Sequence, residues 1–200
     1  SPVSSNSMTL NWTAVPGAEF YWHRVNSSDY WVGNITSSPA TVSPGQYYTM
    51  SVRAGNYAGA QSAQSASVSQ YALLSTPTNL ATSNVTATSM TFSWNTVGLA
   101  TYYIINVNGS NTNVGNVTST SISTTPGTEY TLSVRAYNSN TSSAQSASVS
   151  QYALLSTPTN LATSNVTATS MTFSWNTVSL ATYYIINVNG SNTNVGNVTS

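Results

Sequence analysis

Met90-Thr91-Phe92-Ser93-Trp94 and Tyr130-Thr131-Leu132-Ser133-Val134 alternate large apolar residues with small polar ones, and that alternation decides the fold. Side chains that recur every second residue share one face of an extended strand, whereas a helix face needs a period near 3.6. Both stretches therefore read as strands with one buried and one wet face. Between them Tyr102 to Val107 supplies another strand, rich in aromatic and β-branched residues. Asn108-Gly109 directly follows as a two-residue hairpin signal, because both residues tolerate positive φ. Pro126-Gly127 marks a further corner. No segment shows helical periodicity with caps, and turn signals arrive about every ten residues, which predicts an all-β sandwich of seven short strands per unit.

Working outward, the segment Ser62 to Ser119 recurs at Ser143 to Ser200 with an offset of 81, and 57 of the 58 positions are identical. The one difference is Gly98 against Ser179. A divergent copy at an offset of 82 matches Met8 to Met90, Trp12 to Trp94, Gly33 to Gly115, Pro44 to Pro126, Tyr48 to Tyr130 and Arg53 to Arg135. The chain thus divides into residues 1–74, a first repeat lacking its opening strand; 75–155, a complete second repeat; and 156–200, the N-terminal half of a third. Half a sandwich does not close a core, so the expectation is that the natural polypeptide continues, or that a second chain completes each fragment by self-association into a filament. The repeat boundary Gln151-Tyr152-Ala153-Leu154-Leu155-Ser156-Thr157-Pro158 holds a Pro and no Gly/Ser spacer, which predicts a semi-rigid rod.

Composition removes several function classes. The chain has 36 Ser, 31 Thr and 23 Asn, no lysine, and only six charged residues: Glu19, Arg24, Asp29, Arg53, Glu129 and Arg135. Zero net charge supplies no basic surface for a phosphate backbone, so no nucleic-acid partner is expected. Neither a polybasic membrane anchor nor an apolar run of about 20 residues occurs, so no membrane insertion is expected. Zero cysteines remove disulfides, thiolate metal sites and cysteine nucleophiles. Hydrophobic residues nonetheless make up 40% of the chain, enough for a packed core rather than a disordered tract.

The residues resemble the fibronectin type III family. Its opening Pro and Leu fit Pro77 and Leu80, its first core Trp fits Trp94, and its next strand's Tyr fits Tyr103. Its Pro-Gly-Thr-x-Tyr corner fits Pro126-Gly127-Thr128-Glu129-Tyr130, with Val134 and Ala136 beyond it. Trp12, Trp175 and Tyr48 carry the pattern into the flanking copies. The resemblance implies a fold of tandem immunoglobulin-like β-sandwiches, with Trp12, Trp94, Trp175, Tyr48 and Tyr130 as structural core and Tyr130 as the tyrosine of the corner. The integrin-binding Arg-Gly-Asp tripeptide of some members is absent, so that activity does not carry over.

No residues assemble a reaction. His23 is the only histidine, and Glu19 on the same strand stands about 13 Å away at the rise of an extended chain. Three isolated carboxylates and one histidine give neither a zinc set nor a calcium loop. The chain is therefore read as non-enzymatic, without cofactor or metal. His23 stands where the other copies have Ile105 and Ile186, so strand parity turns it inward, an unusual place for a histidine.

Two surface features carry the functional expectation. Ten Asn-x-Ser/Thr sequons begin at Asn11, Asn26, Asn34, Asn84, Asn108, Asn116, Asn140, Asn165, Asn189 and Asn197. Random placement would give about eight, so their positions at turns and outer strand faces matter more than their number. Covalent glycans there would replace the charge that normally keeps β-sheet edges apart. The second feature is a contact patch of Phe20, Trp22, Arg24, Tyr30 and Trp31, in which parity places Phe20, Trp22 and Arg24 outward. Exposed aromatics beside an arginine suit stacking on carbohydrate or packing on a neighbouring protein. The resulting expectation is a structural segment of an extracellular or cell-surface fibre or stalk. The alternative is a carbohydrate-binding or adhesion module, or a spacer of a secreted polysaccharide-degrading enzyme.

Overall fold

A computed structural model describes residues 3–200. Among them every regular element is a strand: β1 (Ser7–Asn11), β2 (Phe20–Val25), β3 (Ser28–Gly33), β4 (Ser37–Thr41), β5 (Tyr47–Gly55), β6 (Val68–Tyr71), β7 (Ala81–Ser83), β8 (Ser89–Ser93), β9 (Tyr102–Val107), β10 (Ser110–Gly115), β11 (Ser119–Ser123), β12 (Glu129–Tyr137), β13 (Val149–Tyr152), β14 (Ala162–Ser164), β15 (Thr172–Ser174), β16 (Tyr184–Val188) and β17 (Ser191–Gly196). The middle repeat carries seven of them, β7 to β13. The alternating stretches and the Tyr102–Val107 run all form strands, and Asn108 and Gly109 take positive φ at the hairpin between β9 and β10.

The chain divides into two compact units. One comprises Ser1–Leu80, Ser93–Thr118 and Leu132–Val149; the other comprises Ala81–Phe92, Ser119–Thr131 and Ser150–Ser200. In the first unit, β1 and β4 pair antiparallel, and β3-β2-β5-β6 form a four-stranded sheet. Period two along these strands turns Met8 and Leu10, Ala40 and Met50 inward, where they close a core with Val42 and Ala72. A second four-stranded sheet, β10-β9-β12-β13, repeats that order, and its Tyr103, Ile105, Leu132, Val134 and Ala136 are all buried.

The edge hairpins share one irregularity. Pairing slips between Tyr21 and Trp22 opposite Gly33 and Trp31, and again between Asn113 and Gly115 and between Tyr184 and Ile185. Gly33, Gly115 and Gly196 all have positive φ there, the backbone of a bulge that turns an edge strand away from further pairing.

In the second unit β11-β8-β7 form a three-stranded sheet, while β14-β15 and β16-β17 pair as hairpins. Trp175, Val178 and Tyr184 make a small core supported by Phe173, Ala181, Ile186 and Val195. Beside it lies an open hollow of about 900 Å³ lined by Phe173, Trp175, Ile186 and Val195. Met171 is 63% exposed there, whereas its counterpart Met90 is 1% exposed. No described strand in the third repeat corresponds to β12.

A short tyrosine network ties each copy together. Val15, Val97 and Val178 N–H groups donate to the hydroxyls of Tyr21, Tyr103 and Tyr184, each at 2.8 Å. Trp12, Trp94 and Trp175 stand beside those tyrosines with ring centroids 5.5 Å apart in every copy. Trp94 and Trp175 are buried, but Trp12 is only half-buried at the margin of its core. In repeats two and three, Asn95 N–H donates to Thr78 O at 2.9 Å and Asn176 N–H to Thr159 O at 2.8 Å, bringing the opening segment alongside. No such segment borders Trp12 among the described residues. The corner tyrosines are half-buried, and their hydroxyls accept from Ser43 N–H and Thr125 N–H, both at 2.8 Å.

Candidate functional site

All ten sequon asparagines are exposed. Nine stand in turns or directly after a strand, and Asn11 is the last residue of β1. Asn26, Asn84, Asn108, Asn165 and Asn189 adopt positive φ, a conformation that asparagine tolerates better than other side-chain-bearing residues. Sequence reading assigned these residues to turns through their polarity, and the left-handed backbone supplies the physical reason. Several of the amides already serve the fold. Asn26 Oδ1 accepts from Thr49 N–H at 3.0 Å, and Asn11 Oδ1 accepts from Ser37 Oγ at 2.6 Å. The amide nitrogen Nδ2 that a glycan would occupy takes no part in either bond.

The second surface lies on the outer face of β3-β2-β5. Cross-strand pairing sets Trp22 opposite both Trp31 and Arg53, and Arg24 opposite Asp29. Arg24 Nε and Nη2 donate to the two Asp29 carboxylate oxygens at 2.7 and 3.0 Å, and Arg53 Nη2 donates to Oδ2 at 3.3 Å. This two-pronged geometry suits guanidinium and carboxylate. The hydrogen bond from Arg24 holds the Asp29 carboxyl below the usual range, and Asp29 raises Arg24 in return. Arg53 also lies over the Trp22 ring, 4.6 Å from its centroid. Trp31 is 61% exposed, and its indole reaches across Gly33, where an added Cβ would come within 3.6 Å of the ring.

The five residues of the expected patch do not form one surface. Trp22, Arg24 and Trp31 share the outer face. Phe20 has outward parity but is only 8% exposed, because Tyr57 and the edge of Trp22 cover it at centroid distances of 5.2 and 4.7 Å. Tyr30 belongs to the opposite face, where its ring meets the edge of His23 at 5.3 Å. His23 itself is buried, as parity required, and burial lowers its pKa from the ordinary value.

Asp29, Arg53 and Tyr57 complete this face and were missed in the sequence. The two-residue turn Asn26-Ser27 sets Arg24 across from Asp29 and was a usable signal; the reach of Arg53 and Tyr57 depends on the β2–β5 register, which sequence alone leaves open. Among the described residues, no three of His, Asp and Glu gather where a metal could be held.

Seven strands in two sheets, a recurring Trp–Tyr pair and a hydroxyl-braced corner define the class: repeated immunoglobulin-like β-sandwiches. Residues 75–152 match the model of the fibronectin type III domain. A two-domain fibronectin type III segment of chicken tenascin superposes with a TM-score of 0.52 at 18% identity, covering 76% of this chain and 95% of that one. The FN1–FN3 domains of chicken CNTN1 give 0.37 at 19% identity, covering 76% of this chain and 64% of that one. The central fibronectin-III array of RIM-binding protein gives 0.36 at 17% identity, covering 88% and 76%. No curated protein sequence matches the chain.

Proposed function

We propose that the chain is a non-catalytic structural segment of an extracellular or cell-surface fibre or stalk, a rod of tandem N-glycosylated β-sandwich repeats that continues or self-associates beyond this segment. The observation that carries the reading is the exposure of every sequon asparagine across all three repeats. A sheet protein with six charges and no lysine lacks the charged side chains that, beside bulges, keep sheet edges apart. Hydrated sugars at the turns next to the bulged edge strands supply a steric one. Glycopeptide mass spectrometry of protein from its natural source tests this directly. The expected result is occupancy at most of the ten sites; bare asparagine throughout would overturn it.

A second reading, carbohydrate binding, is favoured by the position of Trp31. A flat indole beside fixed carboxylate and guanidinium groups offers both an apolar platform and hydrogen-bonding partners for a pyranose. Glycan-array binding by the native chain that is lost in Trp31→Ala would support it, and an unbound native chain would remove it.

A further inference from the structure

The same three residues meet at both junctions between repeats. In the first unit, a Cβ added to Gly45 would lie 3.0 Å from Leu74 Cδ2 and 3.0 Å from Leu99 Cδ1. In the second unit, a Cβ added to Gly127 would lie 2.9 Å from Leu155 Cδ2 and 2.8 Å from Leu180 Cδ1. Gly45 and Gly127 belong to the Pro-Gly corners of repeats one and two, and Leu74 and Leu155 end the same repeats. Leu99 and Leu180 come from the following repeat, in the turns that precede β9 and β16. The corner closes onto the end of its own repeat in both places, since Gly45 N–H donates to Leu73 O and Gly127 N–H to Leu154 O, each at 3.1 Å. The first junction has a further tie: Leu74 is wholly buried, its N–H donates to Ser142 O at 3.2 Å, and it bridges Ser143 in parallel fashion.

The backbone of the incoming leucine argues that this meeting is more than proximity. Leu99 has φ 63° and Leu180 φ 65°, and every other described residue with positive φ is asparagine or glycine. A Cβ crowds the following carbonyl in this conformation, so the turn itself favours glycine. Repeat one shows the same turn with that preference satisfied: Gly17 has φ 78°, and a Cβ there would meet nothing within 4 Å. Leucine replaces glycine only in the two repeats whose turn sits against the corner of the repeat before. The single difference between the near-identical copies, Gly98 against Ser179, lies at the adjoining position, where an added Cβ meets nothing and the seat is untouched. Leu99 and Leu180 keep more than half of their surface in solvent, so the seat takes the Cβ and one methyl end of the leucine.

We propose that Leu99 and Leu180 are joint residues, each seated on the corner glycine and terminal leucine of the preceding repeat, and that the partner this seat accepts is the corresponding turn of another copy of the repeat. Each junction then has one preferred geometry, set by a side chain held in a backbone conformation that the turn alone would not select. The inference is independent of glycosylation and of any fibre.

Because the chain has no cysteine, two introduced cysteines at exposed Ser67 and Asn113 label repeats one and two cleanly with spin probes. Pulsed dipolar spectroscopy on the 200-residue chain is expected to give one narrow distance distribution. Leu99→Gly relieves the strained backbone and removes the seated side chain, and Leu99→Asn keeps a residue tolerant of that backbone. Both should lose the narrow distribution while far-ultraviolet circular dichroism stays unchanged. Gly17→Ala, which puts a side chain on the same backbone where no corner lies against it, should leave the distribution narrow. A broad distribution in the native chain, or a narrow one in both Leu99 variants, would overturn the proposal.

Discussion

Replacing Tyr103 by Phe removes one oxygen atom and almost no volume, so its effect isolates a single hydrogen bond. Tyr103 and Val97 are both buried, and the Val97 N–H donates to the Tyr103 hydroxyl at 2.8 Å. In Tyr103→Phe that N–H loses its acceptor in a place water does not reach, and a buried unsatisfied donor costs about 1–3 kcal/mol. Tyr130→Phe deletes the same atom from the corner, but there Thr125 N–H lies at the surface and water takes over as its acceptor. That loss is the smaller net value, about 0.5–1 kcal/mol. The test is urea unfolding of both variants beside the native chain, with equal slopes and different midpoints expected. A cost for Tyr130→Phe equal to or greater than that for Tyr103→Phe would refute the reasoning, because the argument rests on solvent access rather than on bond length, which is the same in both.

Trp94→Ala should destabilise by about 3–5 kcal/mol and more than Trp12→Ala, since Trp94 is buried and Trp12 is only partly so; thermal unfolding of the two variants checks the order. His23, with its pKa lowered in the folded chain, takes up a proton more readily when unfolded, so stability should fall as pH drops below about 6.5, the ordinary histidine value. His23→Ile, the residue found at position 105, should flatten that dependence, and denaturation followed at two pH values on either side reads it. Asp29 has its pKa lowered chiefly by the Arg24 hydrogen bond, so its contribution is present above the ordinary carboxylate range and lost as pH falls through the lower folded value. Because the pair is solvent-exposed, Asp29→Asn should shift the midpoint only slightly, and less still at high salt.

Strand identity and hairpins were legible in the sequence because they depend on neighbours: period two in Met90 to Trp94, and positive φ at Asn108-Gly109. The burial of His23 was legible for the same reason, since parity and the repeat alignment with Ile105 agree. Phe20 shows where such reasoning stops. Its parity is outward, yet Tyr57 folds back over it from beyond β5, a contact between residues 37 positions apart that alternation does not encode. The half-burial of Trp12 likewise depends on a neighbouring segment and not on the tryptophan's own strand. Leu99 was invisible for another reason: leucine carries no turn signal, and its left-handed backbone makes sense only once the preceding repeat's corner lies against it.

The placement of the three arginines has a consequence for proteolysis. Arg24 lies on β2, Arg53 on β5 and Arg135 on β12, and each of these is an inner strand of its four-stranded sheet. With no lysine in the chain, a trypsin-like protease has only these three bonds to attack, and a protease needs an extended, unpaired segment in its cleft. Loop tips, where nicking normally begins, offer it nothing. Digestion must wait for an inner strand to leave its sheet, an opening close in cost to unfolding the repeat as a whole. The scarcity of basic residues thus doubles as resistance to trypsin-like cleavage, with lifetime under such a protease set by how often a sandwich opens.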